Sequence, residues 1–311
     1  MAREAATEGG CGMTATTQII PGINAPLAAR VLDVSEEAYH ADPLPEPSLS
    51  ATIAKLIMDR SALHAWQEHP RLGEWKRADK KEFDRGALFH KLLLGKGAEL
   101  ASVDAPDWRT KAARDARDQA RAEGKIPVLA QDLFEAELGI STIRERLDRA
   151  NIRLDGESEV AIAWQELSYE GPIWCRGKLD HLKKIGRNAT IVDLKTARSA
   201  HPAACLRHIV SYGYDIQQAA YTRAVETLYP ESSGRVDFIF LFVETEPPFA
   251  ILPARIDGIL RERGERRWRG AVEAWAHCRA TNDWPSYARG ITTLEAPAWL
   301  LSGMEGRDDE G

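Results

Sequence analysis

Between residues 157 and 197 the spacing of apolar residues changes from helical to alternating, and this block limits the fold more than any other part of the chain. The runs ESEVAIAWQEL, GPIWCRGKLDHLKKI and ATIVDLKTA, with turn residues between them, predict three short strands. Before the block, Ser50 stands as an N-cap to a helical stripe of Ile53, Leu56, Ile57, Leu63 and Trp66. KEFDRGALFHKLLLG at 81–95 predicts a second amphipathic helix, stopped by Gly95. Helices are also expected over 108–124 and 130–149. After the block come a helical stretch at 202–228 broken near SYGYD, two strands in VDFIFLFVET and FAILPARI, and a long last helix. This order predicts an α/β fold, a central mixed β-sheet flanked by helices with a helical N-terminal part.

The 44% hydrophobic content is enough to build a core without disulfide staples. The cysteines at 11, 175, 205 and 278 form no CxxC pair, which argues against a zinc ribbon and a disulfide scaffold. They fit a reducing, cytoplasmic setting. No apolar run is long enough to cross a membrane. The net charge of −6 is unevenly placed: residues 1–50 carry −5 and 304–311 carry −3, so the body is +2. Such a body can carry a basic groove. The expected organisation is a flexible arm at 1–34, one domain at 35–303 and an acidic tail at 304–311.

The chemistry-bearing pattern lies in the strand block. Asp193 and Lys195 fall two apart in a strand and so share a face with Ile191, while Val192 and Leu194 turn to the other side. Asp180, thirteen residues before Asp193, is expected at the end of the preceding strand, where a hairpin brings it alongside. Two convergent carboxylates suit a hard divalent cation, and a lysine beside them can orient water or meet charge on a phosphorane. A structural Asp–Lys pair on a surface strand fits the same tripeptide. His90 shares an arc with Phe83, Ala87 and Leu94, with Gly86 one turn earlier; a hydrogen-bonded core histidine fits that placement as well as a ligand does. Gln217 and Tyr221 share a face of a later helix. The helix at 108–124 carries Arg109, Lys111, Arg114, Arg117 and Arg121. It is either a solvated face or a phosphate-contacting arm, and its only aromatic neighbour is Trp108.

The order Gly86-x-x-x-His90, Asp180, Asp193-x-Lys195, Gln217-x-x-x-Tyr221 resembles the PD-(D/E)xK nucleases of the RecB-like type. More closely it is similar to the RecE-type exonucleases, exodeoxyribonuclease VIII, of prophages. SEEAYHAD, CRGKLD, DLKT, WPSY and LEAPAW extend the likeness over roughly residues 33–300. The resemblance implies a PD-(D/E)xK (restriction-endonuclease-like) core and Mg²⁺, with Mn²⁺ substituting, held by His90, Asp180, Asp193 and the carbonyl of Leu194. It implies Lys195 as catalytic lysine, Gln217 and Tyr221 as helix residues that set water, lysine or phosphate, and Glu159 as a supporting acid. The implied activity is exonuclease digestion of linear double-stranded DNA, 5′→3′, leaving 3′ tails for a RecT-like single-strand annealing recombinase. The implied assembly is a homo-oligomeric ring. The alternatives are a non-catalytic module that binds DNA ends or recruits a recombinase, and a nuclease with another DNA substrate. A Cas4-like enzyme is the named form of that last alternative; the dispersed cysteines set aside the four-cysteine iron–sulfur variant and so disfavour it. Should the basic helix prove a solvated face, Arg261, Arg263, Arg266, Arg267 and Arg269 offer the next DNA path.

Overall fold

The computed structural model describes residues 27–73, 83–288 and 290–297. The three alternating runs are the middle of a six-stranded sheet: β1 (Ala29–Val31), β4 (Glu157–Ser168), β5 (Gly171–Ile185), β6 (Asn188–Ala197), β7 (Val236–Glu244) and β8 (Ile251–Ala254), in that spatial order. All neighbours are antiparallel except β6 and β7. A parallel step needs a crossover, and α7 (Pro202–Tyr212) and α8 (Tyr214–Leu228) supply it, hinged at Gly213 in the left-handed region. Strands β2 (Leu100–Val103) and β3 (Ile126–Leu129) form a separate parallel pair that the sequence reading did not include.

Alternation on β6 and β7 gives the sheet two apolar faces. Ile191, Phe238, Phe240 and Phe242 pack with α8, α2 (Ala51–Asp59) and α9 (Gly258–Thr281). Val192, Leu194, Ile239, Leu241 and Val243 face the other way, onto α4 (Phe83–Leu94) and α6 (Ala130–Arg149). Core thus lies on both sides of β6, the strand that carries Asp193 and Lys195.

Most expected helices stand as read, with two differences. The single helix expected after Ser50 is two, α2 and α3 (Ala62–Glu68), because the Ser61 hydroxyl caps a new start by accepting the His64 N–H. The basic helix begins later than expected, as α5 (Lys111–Ala122), where Thr110 caps it. Part of the expected arm is ordered: β1 lies within residues 1–34 yet pairs with β4. Beyond it, α1 (Glu36–His40), Asp42, Leu44 and Leu49 pack onto the domain. Residues 1–26, Cys11 and the tail at 304–311 lie outside the described residues. Among the described residues, no helix is long and apolar enough to cross a membrane.

Candidate active site

The site forms where the sheet splits. Ser158, His181 and Val192 make the last complete row across β4, β5 and β6. In the next row Glu159, Asp180 and Asp193 stand side by side, and neither neighbouring pair is joined as a ladder pair. Asp180 is therefore in the middle of β5 rather than at its end, as expected from sequence; the strand continues along β4 while β6 departs. Two irregularities mark the split. Glu159 has φ +56°, a conformation uncommon outside glycine. Leu179 and Leu182, three apart, face the same core, so alternation on β5 slips at Asp180 and His181.

Asp180 turns into the gap. Its Oδ2 accepts the Leu194 N–H at 2.7 Å, replacing a missing ladder bond. The N–H and C=O of one residue serve the same neighbour in an antiparallel pair, so the Leu194 carbonyl is turned to this gap too. His90 reaches it from α4, with Nδ1 4.0 Å from Asp180 Oδ1. Gly86, one turn earlier, permits that approach: a Cβ there would stand 3.2 Å from Thr196 Oγ1, at the end of β6. The buried side of α4 is formed by Leu88, Phe89 and Leu93, whereas His90 is half-buried, at the boundary between core and site.

Asp193, 1% exposed, is held from the other side of the sheet. Gln217 on α8 donates its Nε2 to Asp193 Oδ1 at 2.9 Å and accepts from Lys195 Nζ at 2.9 Å. Lys195 Nζ also lies 2.6 Å from Asp193 Oδ2 and 4.4 Å from the centre of the Tyr214 ring. Tyr221 does not meet the carboxylates directly: it stands one turn after Gln217 on α8 and lays its ring over Gly177. Sequence reasoning missed Tyr214, although it precedes Gln217 by three on one helix. It also missed Lys178, which sits two residues before Asp180 and joins Glu159 Oε2 at 2.7 Å to Glu36 Oε2 at 2.5 Å.

The electrostatics follow from burial. Asp180 and Asp193 are each pushed up to about 6, first by burial and further by carboxylate neighbours, Glu159 for Asp180 and Asp180 for Asp193. Lys195 opposes the rise in both. Burial alone would lower Lys195, but the two aspartates outweigh it and hold the ammonium above its ordinary value. Burial lowers His90, favouring the neutral imidazole that metals bind. Among the described residues, His90, Glu159 and Asp180 present donor atoms all within 4.8 Å of one another. Asp193 is outside that trio, yet its buried Oδ2 receives no well-directed hydrogen bond despite the short contact with Lys195. Two hard carboxylates, an imidazole and a buried oxygen without a donor fit a divalent cation, which would relieve the repulsion that raises both aspartates.

The expected basic helix is only partly drawn towards this site. Arg117 pairs with Asp118 and lies 6.0 Å from the Trp108 ring. Trp108 lines a groove of about 530 Å³ that also includes Gly86 and Thr196. Arg109 pairs with Asp107, while Lys111 and Arg114 are exposed. On α9, Arg263 and Arg267 bind Asp215 and Arg269 binds Glu166. Those three are structural cations rather than a second open path. Arg261 and Arg266 remain exposed there, with Arg266 beside Glu262.

Residues 53–297 match the family described as a PDDEXK-like domain of unknown function (DUF3799). Among solved structures, a candidate exonuclease from Eubacterium rectale aligns with a TM-score of 0.56 at 14% identity, covering 88% of this chain and 99% of its own. That likeness is one of fold. The protein SSO0001 is 13% identical, covering 63% of this chain and 87% of its own, with a TM-score of 0.27, too low to carry an argument. No curated protein matches the chain.

Proposed function

The chain belongs to the PDDEXK-like family DUF3799, and from that membership and the site geometry we propose that it is a metal-dependent exodeoxyribonuclease acting on linear double-stranded DNA. The sheet and its flanking helices are the restriction-endonuclease-like core that the sequence led us to expect. The observation that carries the reading is the split row: three acids side by side on β4, β5 and β6, with His90 on one side and Lys195 on the other.

His90, Glu159 and Asp180 would hold Mg²⁺ or Mn²⁺, with Asp193 and the Leu194 carbonyl completing the set. Such an ion polarises a phosphodiester and lowers the pKa of a bound water. The remaining work belongs to the protein. Lys195 is withdrawn from water and clamped by Asp193, Gln217 and Tyr214. It can therefore meet negative charge as it grows on the phosphate without first reorganising solvent. Gln217 keeps lysine and carboxylate in register by bonding both.

Digestion from the 5′ end, 3′ tails passed to a RecT-like annealing recombinase, a ring-shaped homo-oligomer and a cytoplasmic bacterial or phage setting extend the proposal. Their support is the resemblance to RecE-type exonucleases. The test is digestion of 5′- and 3′-end-labelled duplex, linear or covalently closed, in Mg²⁺, Mn²⁺, Ca²⁺ or chelator. Degradation of linear duplex alone, in Mg²⁺ or Mn²⁺ but not Ca²⁺, is expected. Full activity in excess chelator overturns the metal site. Capture of ends without degradation in any metal favours the non-catalytic end-binding module instead.

A further inference from the structure

A row of aromatic rings leads outward from Lys195. Lys195 Nζ sits 4.4 Å from the Tyr214 ring centre. Tyr214 is 5.7 Å from Tyr212, and Tyr212 is 5.2 Å from His208, with interplanar angles of 46° and 44°. Phe240 stacks under Tyr214 at 6.1 Å and fixes the inner end of the row. The outer end opens to solvent, with Tyr212 55% exposed. His208 is half-buried beside Tyr212 on the same face of α7, and exposed Arg198 and Arg207 lie near it in sequence.

Resting on the nuclease reading, we propose that Tyr212, with His208 and Tyr214, is a stacking platform for nucleobases of single-stranded DNA beside the scissile phosphate. A duplex keeps its base faces against one another, so a row of rings is useful only to a strand already unstacked. Continuity with Lys195 selects this occupant, because a folded protein seated on Tyr212 would cover the approach to the lysine. The exposed cations add backbone attraction without base preference. The strand is thus single where it meets the site, even when the enzyme has loaded on a duplex end.

The test is fluorescence anisotropy in chelator, where no cleavage occurs, with an oligothymidylate of about 12 nucleotides and an abasic strand of the same length. Wild type should bind the oligothymidylate about tenfold or more tightly than the abasic strand, since each stacked base contributes on the order of 1–3 kcal/mol. Tyr212→Ala should lose that preference while keeping its affinity for the abasic strand, and Tyr212→Trp should restore it. Tyr212 is exposed, so the variants are expected to fold, and circular dichroism checks that they do. Equal discrimination by Tyr212→Ala and wild type overturns the platform, as does no discrimination by wild type. Cleavage by Lys195→Ala in Mn²⁺ tests the underlying reading separately. If Lys195→Ala is inactive but Tyr212→Ala matches wild type, the platform alone is wrong. If Lys195→Ala cleaves normally and Tyr212→Ala loses discrimination, the catalytic reading is wrong and the strand-binding surface stands.

Discussion

Gln217 uses both ends of its amide on the site, donating to Asp193 Oδ1 and accepting from Lys195 Nζ. Gln217→Ala is expected to reduce turnover by letting the lysine wander, with KM for duplex little changed. Lys195→Ala removes the charge itself and should cost about 10²–10³ in rate, while DNA binding in chelator survives. Near wild-type rates in both variants would show that neither group acts in the transition state. His90→Ala separates ligand from core residue: a folded variant whose Mn²⁺ midpoint matches wild type excludes the ligand role. At this scale the sequence was informative wherever a motif spaced its residues along one element. Asp193 and Lys195 on β6, and Gln217 and Tyr221 on α8, are such cases. It was silent on Lys178 and Glu36, whose pairing joins segments 142 residues apart, and it gave Glu159 a lesser place than the trio within 4.8 Å does.

Among elements, α8 does most to align the site, carrying Tyr214, Gln217 and Tyr221 and packing on α9 and β4. Its seat is Glu166, 2% exposed on β4. That carboxylate accepts from Trp164 Nε1, Trp268 Nε1, Arg223 and Arg269. Glu166→Ala leaves the two buried indole N–H groups unmatched and frees the half-exposed Arg223 and Arg269, so it should destabilise by about 1–3 kcal/mol for each indole, read from urea unfolding. Gly177 is the second fixed point: an added Cβ would stand 2.6 Å from the Tyr221 ring. Gly177→Ala should therefore lower stability by about 1–3 kcal/mol through overpacking, and lower activity further by displacing α8, which carries both Tyr221 and Gln217. An unchanged melting temperature would mean that the ring yields freely. Helix α6 was read to its end residues because its apolar spacing is continuous over 130–149. The pair β2 and β3 was not, because four-residue strands carry too little alternation to recognise.

Over the whole molecule, the N-terminal segment is tied to the sheet through one fully buried acid. Asp42 accepts from the Ser48 N–H and hydroxyl at 2.9 and 2.8 Å, and lies 3.2 Å from Arg176 and 3.3 Å from His69. Burial alone would raise its pKa. The His69 hydrogen bond, the Arg176 charge and the Ser48 bonds outweigh burial and hold it below the ordinary value. A carboxyl depressed in the folded state stabilises above its unfolded pKa, about 3.9, and that stability is lost as pH falls through the folded value. Wild type should accordingly lose stability below about pH 4, whereas Asp42→Asn should start lower, by about 3–5 kcal/mol, and show a flatter acid limb. Parallel acid limbs would assign the acid sensitivity elsewhere. The sequence pattern could not reveal this tie, since Arg176 lies on β5, far along the chain from Asp42, and only the folded sheet brings the two together.

The split between β5 and β6 has a consequence for measurement. The Leu194 amide hydrogen, which would exchange with solvent if the parted strands left it bare, is instead covered by the Asp180 carboxylate. Its exchange rate is therefore a direct gauge of site assembly that needs neither substrate nor metal. Asp180→Asn, which keeps an acceptor oxygen, should leave that hydrogen slow to exchange. Asp180→Ala should release it while the neighbouring ladder at His181 and Val192 stays protected. A single backbone position can thus tell an enzyme that has lost its chemistry from one that has lost its shape.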